Sequence, residues 1–500
     1  MRRRRTIRHG GLLAVAALAL WTAAPAAAEP VLELGKGRES SAVTDAAGTL
    51  HAVWRDPTST PVSQPMFYCR VAAGGTGCVP SQLATDVRDA PRIFVRPQDG
   101  FLIVVFSGVD GTLGSTTKMM ASGDGGTSWT PPVNIGAGLG EIDDAALSPD
   151  GAFVDTVSSV VTGEVLFQRV PLGGGTETRV VSLGVKQDVR PPRVTYVPDG
   201  RPVVIAHYAS NRIGARVPAV GADPGVQASW GPPSAWHTIA HVDASDADVG
   251  PTGTWMLATV AHSTTAGAFP VRIWHWGSRG FASPRTIGAL ARGSNGSVGQ
   301  AQPTTTVALD VDLAGRLHAA WPLTQPSCGG RLCLVYRRTD RNGFGPPIVY
   351  PVGQATADTV ERFAVAANSG GSGWLVWDDL SDRVRAVPLV TPPRGSRVGS
   401  RRIGRRRVTV PDFYGCVPSG GVFVHRLKVD GRRGAQILSV RFFFDAGQPA
   451  RTDRRPPYRI SFTLPFAPGS RHVASAIVRY RLPGSRKVRK ARVGRTFVMC

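Results

Sequence analysis

Asp45-Ala46-Ala47-Gly48-Thr49-Leu50-His51-Ala52-Val53-Trp54 returns as Asp312-Leu313-Ala314-Gly315-Arg316-Leu317-His318-Ala319-Ala320-Trp321, with seven of ten positions identical. Each copy is a turn centred on glycine that runs into an apolar strand ending on tryptophan. Weaker copies turn at Asp99-Gly100, Asp150-Gly151, Asp199-Gly200, Thr252-Gly253 and Ser372-Gly373, so successive turn glycines lie 52, 51, 49, 53, 62 and 58 residues apart. A short apolar run precedes each turn, as in 92–95, 193–197 and 363–366, and another follows it, as in 102–106, 202–207 and 374–377. That is a hairpin repeated at a nearly fixed period, the mark of a repeat architecture.

A third apolar run follows each hairpin (66–71, 164–170, 271–276), and a fourth is introduced by an aromatic with proline three residues later: Trp129 and Pro132, Phe281 and Pro284, Phe344 and Pro347. Four antiparallel strands cannot bury both faces alone, whereas sheets stacked around an axis can. The expected fold is all-β, with a β-propeller over 29–390. Residues 29 to 393 number 365, about 52 for each of seven blades, with six blades as the alternative.

One turn differs in kind. Ser122-Gly123-Asp124-Gly125-Gly126-Thr127-Ser128-Trp129 places a hydroxyl, an aspartate two residues later, a glycine two after that and an aromatic at the eighth position. The aspartate caps backbone N–H groups, Gly126 permits positive φ and Trp129 plugs the turn into the core. The pattern resembles the Asp-box, or BNR, repeat of sialidase-like β-propellers. The resemblance implies a turn between the third and fourth strands of a blade, on the face away from the active site, in enzymes and non-enzymes alike.

Residues 1–28 read as a signal peptide: Arg2 to Arg5 and Arg8, an apolar run from Leu12 to Trp21, and Ala26-Ala27-Ala28 at the cleavage point. The expected destination is secreted or extracellular, with cell-wall association as an option and no transmembrane anchor. Six cysteines suit an oxidising compartment. Locality suggests the pairs Cys69 with Cys78, Cys328 with Cys333, and Cys416 with Cys500, though other pairings stay open. No spacing favours a metal site, and no cofactor motif occurs.

From Val390 the composition changes. Residues 391–407 are rich in Pro, Gly, Ser and Arg and read as a basic linker; 408–500 are strand-rich and resemble bacterial Ig-like domains, implying a β-sandwich. The charge divides with the domains. Residues 29–393 carry 28 basic and 31 acidic side chains, whereas 394–500 carry 25 basic and four acidic, a net +21. That domain is expected to attract anionic cell-wall polymers, acidic polysaccharides or extracellular DNA, tethering a monomeric propeller.

Four-strand blades put the hairpin turns on one face and the blade-to-blade loops on the other. Those loops end in charged residues, among them Asp89, Arg92, Asp144, Arg190, Arg193, Asp248, Glu361 and Arg362. Two readings stand: solvated loop ends, or a mixed-charge funnel for a glycan or other polar ligand. Pro91-Arg92-Ile93 looks like the opening arginine segment of sialidases. Beyond it the likeness fails, because residues 107–117 hold only Asp110 as a charge and Tyr208 has no acidic residue nearby in sequence. The catalytic residues stay unknown. A binding or scaffolding module is the expectation, and a divergent glycoside hydrolase of exo-sialidase type the alternative.

Overall fold

The computed structural model describes residues 31–56, 64–110, 114–136, 142–173, 179–186, 191–209, 212–238, 242–250, 253–260, 268–277, 280–281, 284–291, 307–312, 314–324, 332–340, 343–344, 347–351, 360–368, 373–379, 381–389, 399–410, 422–431, 434–444, 450–463 and 471–498. The expected signal peptide and the start of the expected linker lie outside them.

Among the described residues the propeller part is antiparallel strands and one short 3-10 turn, Gln227–Ser229. The strands fall into successive meanders. In the first, Arg38–Thr44, Leu50–Arg55, Gln64–Val71 and Ser81–Val87 run from the inside outward; in the second, Arg92–Val95, Leu102–Asp110, Gly114–Ser122 and Val133–Gly136 do the same. Five further meanders begin at Ile142–Leu147, Arg193–Tyr196, Val242–Gly250, Ala308–Val311 and Val360–Ala367. Their first strands neighbour one another in cyclic order, and the last lies against Arg38–Thr44. The result is a β-propeller. Its blades stack through side chains such as Trp54, Phe106 and Trp321, all fully buried at the same place after their turn glycines.

The ring closes by a route the repeat pattern does not reveal. Leu32–Lys36 pairs with Arg383–Pro388, in the register Leu32 to Ala386 and Lys36 to Arg383, so the N-terminal strand becomes the outer strand of the last meander. Gly37 then turns the chain into the first inner strand with φ 152°, where a Cβ would lie 2.0 Å from Trp54 Cδ1. An ion pair of Arg38 with Asp382 and the Glu39 amide on the Asp378 carboxylate fasten the seam. The last meander thus takes its outer strand from the start of the propeller and its other three from the end, which ties the ring shut.

The C-terminal region is a second set of sheets around its own core. Arg451–Asp453, Gln436–Phe444, Arg471–Arg481 and Val488–Val498 form a four-stranded sheet; Val422–Arg426 pairs Arg459–Thr463. Ser400–Ile403, Arg406–Thr409 and Lys428–Asp430 form a third sheet, and Ile403, Val408, Phe442, Phe462, Val478 and Val493 meet in one cluster. One expectation is corrected here. Residues 400–407 of the expected linker belong to a hairpin, Ser400–Ile403 with Arg406–Thr409, because Ile403 and Val408 have a core to enter. Val422–Arg426 and Lys428–Asp430, contiguous in sequence, are two strands in different sheets, divided at buried Leu427, whose amide bonds the Tyr458 carbonyl at 3.0 Å.

Cys69 and Cys78 form a disulfide with Cα atoms 5.9 Å apart, which suits an oxidising compartment. Cys333 is also disulfide-bonded. Cys328, Cys416 and Cys500 lie outside the described residues. No helix among the described residues is long and apolar enough to cross a membrane.

Candidate functional site

The hairpin turns gather on one rim. There the turn aspartates accept backbone amides: Asp45 from Thr49 at 2.8 Å, Asp99 from Phe101 at 3.1 Å, Asp150 from Ala152 at 3.1 Å, and Asp312 from Arg316 at 2.9 Å. The Ser122–Trp129 turn shares this rim. Asp124 Oδ1 accepts from Ser122 Oγ (2.8 Å) and from the amides of Thr127 (3.0 Å) and Ser128 (2.9 Å), and Ser128 Oγ adds a bond to Oδ2 at 2.6 Å. These donors, Ser128 foremost, hold the Asp124 carboxyl well below the usual range. Trp129 meets the Tyr68 ring edge-on at 5.1 Å.

Tyr68 belongs to an arrangement that sequence reading missed. His51 Nδ1 lies 2.8 Å from Tyr68 Oη and its Nε2 3.3 Å from Asp45 Oδ2; His318 repeats this with Tyr336 at 2.7 Å and Asp312 at 3.0 Å. Tyrosine, histidine and aspartate in line resemble a proton relay. The histidine and tyrosine of both copies are buried, however, and burial pushes both phenols far above their ordinary pKa, which disfavours the phenolate a nucleophile needs. The signal was present: each tyrosine follows its turn glycine by 20 or 21 residues. His51 and His318 are thus satisfied core side chains.

The opposite rim carries the funnel candidates. Among the described residues no ladder joins one inner strand to the next, so their facing amides need other acceptors. Side chains supply them around the ring. Ile93 N donates to Ser41 Oγ (3.3 Å), Ile142 N to Asp89, Val194 N to Asp144 (3.1 Å), Leu309 N to Asp246 (2.7 Å), Val311 N to Asp248 (2.6 Å) and Ala367 N to Asp310 (2.5 Å). Thr44 Oγ1 donates to the Ala366 carbonyl at 2.8 Å, joining the first and last inner strands.

This corrects the expectation for Asp89 and Asp248. Asp89, expected at a ligand, is buried and also accepts from Ser107 N (2.8 Å) and Oγ (2.7 Å). Burial raises its pKa to about 6 against those bonds and the nearby Arg92 charge. Asp248 is raised by burial and then by neighbouring Asp310, itself raised by burial. Both carboxyls are inter-strand staples, because an inner strand has amides with no ladder partner.

Arg92, Asp144 and Arg193 do come together. Asp144 Oδ1 lies 3.6 Å from Arg92 Nε and 3.7 Å from Arg193 Nη1, with side chains only 12%, 15% and 21% exposed. Arg92 Nη2 also donates to the Asp143 carbonyl at 2.8 Å. Asp143, held by Ser159 Oγ, is raised by burial while Lys186 and Arg193 oppose. Asp246 completes the group: burial raises it to about 6, with Arg193 opposing and Asp144 reinforcing. Four inner strands thus bring cations and carboxylates to one mouth of the ring. Arg190 lies outside the described residues, as do the side chains of Glu361 and Arg362.

Tyr208 packs against a cation. Its ring faces the Arg216 guanidinium at 5.6 Å, and no carboxylate among the described residues hydrogen-bonds its hydroxyl. Among the described residues no group of three or more His, Cys, Asp or Glu is placed to hold a metal ion.

No known protein family matches the chain, and no curated protein sequence matches it. Solved structures are similar to it at low identity. A hydrazine synthase of Kuenenia stuttgartiensis is 12% identical, covering 72% of this chain and 97% of its own, with TM-score 0.47. An α-L-arabinofuranosidase from Fusarium graminearum is 11% identical over 72% and 97%, TM-score 0.37. A Hadza microbial sialidase is 11% identical over 71% and 66%, TM-score 0.36.

Proposed function

We propose that the chain is a secreted or cell-surface binding protein with a seven-bladed, sialidase-like propeller carrying one Asp-box, followed by an Ig-like sandwich that tethers it to anionic polymers. The propeller presents the Arg92–Asp144–Arg193 cluster to an acidic or polyhydroxylated glycan. Guanidinium forks suit carboxylates and vicinal hydroxyls, and partial enclosure strengthens each bond. The observation that carries a binding role over catalysis is the use of the axial carboxylates. Asp89, Asp144, Asp246, Asp248 and Asp310 each accept an amide of the neighbouring inner strand.

A divergent glycoside hydrolase is the second reading. Asp246 favours it, since a carboxyl with its pKa raised by burial to about 6 near the Arg193 charge suits a general acid. Incubating the full chain with aryl glycosides, sialosides included, separates the two. The binding reading expects no fluorophore release; turnover abolished by Asp246→Asn or Arg193→Ala overturns it.

A further inference from the structure

The excess charge of the C-terminal region has a definite place. In the four-stranded sheet, Val440, Phe442, Ala476, Val478, Ala491 and Val493 enter the core, so the alternate residues point outward. Register places Arg441 opposite Ile477 and Ile477 opposite Arg492; in the next row Arg479 faces Lys490, and Arg481 follows. All five cationic side chains are exposed. Of the region's four acidic residues, Asp430 sits beside Lys428 on the other sheet, and Asp453 accepts the Arg455 and Arg459 amides on the edge strand. Asp412 and Asp445 lie outside the described residues.

Like charges directly opposite each other on paired strands are destabilising. Arg479 against Lys490 is such a pair, and an anion lying across both relieves the repulsion. Neighbouring strands are about 4.8 Å apart and alternate residues about 7 Å apart, so the five cations form a short grid that a flexible chain of regularly spaced anions can follow. Guanidinium groups grip phosphate oxygens two at a time. Among the described residues the aromatic on this face is covered rather than open to stacking: Phe443 lies under the Arg492 guanidinium at 4.9 Å. Bases and sugar rings draw part of their affinity from exposed aromatics. Half-buried Ile477, between Arg441 and Arg492, instead offers apolar ground to short carbon segments.

We infer that this outer face is the docking surface for a polyol-phosphate polymer, gripped through its phosphates by Arg441, Arg479, Arg481, Lys490 and Arg492. The inference rests on the tether reading above and gives it a surface and a partner chemistry. The test titrates the full chain with poly(glycerol phosphate) across a salt series. It compares Arg479→Gln/Arg481→Gln/Lys490→Gln with the control Arg401→Gln/Arg402→Gln/Arg405→Gln, which removes the same charge from the other sheet. The face variant should bind at least about tenfold more weakly and lose about 2 from its log–log salt slope, at roughly 0.7 per charge. The control should change by less than about threefold. The face variant's melting temperature should equal or exceed that of the parent, since the Arg479–Lys490 repulsion is gone. If the triple variant unfolds, Arg441→Gln/Arg481→Gln makes the same comparison. Equal losses in face and control variants overturn the docking surface and leave a diffuse tether standing. Absence of binding by the parent at low salt sinks both. Tighter binding of a single-stranded oligonucleotide or a polyuronate at matched charge overturns the assigned chemistry.

Discussion

Asp246 accepts the Leu309 amide at 2.7 Å, one inner strand's side chain closing the open edge of the next. The same device recurs at Asp144 with Val194 and Asp310 with Ala367, so the centre of the ring is held by carboxylates in place of a continuous ladder. Asp246→Ala strands the amide of buried Leu309 and should destabilise the propeller by about 1–3 kcal/mol. Asp246→Asn keeps an acceptor and should remain within about 1 kcal/mol of the parent. Denaturant melts of both variants check the pair, and equal losses would refute stapling.

Stability should depend on pH in a direction set by these groups. Burial raises Asp89 and Asp246 to about 6, and raises Asp248 and Asp310 as well. A carboxyl raised in the folded state binds more protons folded than unfolded, so its contribution falls as pH rises from about 4 through the folded pKa. Turn carboxyls such as Asp312 are lowered, with hydrogen bonds from His318 and Arg316 outweighing burial, and their contribution is lost below about 4. The propeller melting temperature should therefore peak near about pH 4 and decline through about pH 6. Asp310→Asn should raise it at pH 7.5 and flatten the decline; a calorimetric series from pH 4 to 8 reads both.

The C-terminal region should respond in the opposite sense. His425, packed against Phe442 with ring centroids 4.7 Å apart, is depressed by burial to about 4. Folded, it refuses a proton that the unfolded chain accepts near 6.5, so stability is lost as pH falls through that window, by about 2 kcal/mol at pH 5. Nuclear magnetic resonance of the histidine ring and a separate low-temperature transition at pH 5 would display it. His425→Phe should abolish the pH sensitivity.

Gly126 joins two meanders. Its φ is 85°, and a Cβ there would lie 1.8 Å from Tyr68 Oη, the hydroxyl that holds His51. Gly126→Ala should cost about 2 kcal/mol or more through strain and overpacking. Gly100, also at positive φ but with open space around it, should tolerate alanine better. Thermal melts of the two variants rank them.

How legible the molecule was depends on distance along the chain. The hairpins followed from local periodicity: Arg92–Val95 and Leu102–Asp110 begin where their apolar runs begin. The closure by Leu32–Lys36 was hidden, because a partner 350 residues away leaves no local mark. The funnel charges were found by position, but their roles were not. Nothing in sequence distinguishes Asp89, turned inward onto Ser107 and Ile142, from Asp144, which also faces Arg92 and Arg193. Tyr68 and Tyr336 escaped notice because their histidine partners lie on another strand.

The central claim is that the Arg92–Asp144–Arg193 cluster binds a ligand without transforming it. Isothermal titration of the full chain with a panel of acidic and neutral oligosaccharides tests it most directly, run on the parent, Arg92→Ala and Arg193→Ala. At least one acidic oligosaccharide should bind the parent and be recovered unchanged, with affinity falling about tenfold or more in each variant, the loss of one charge-assisted hydrogen bond or more. Binding that both variants retain, or a panel in which nothing binds, would contradict it.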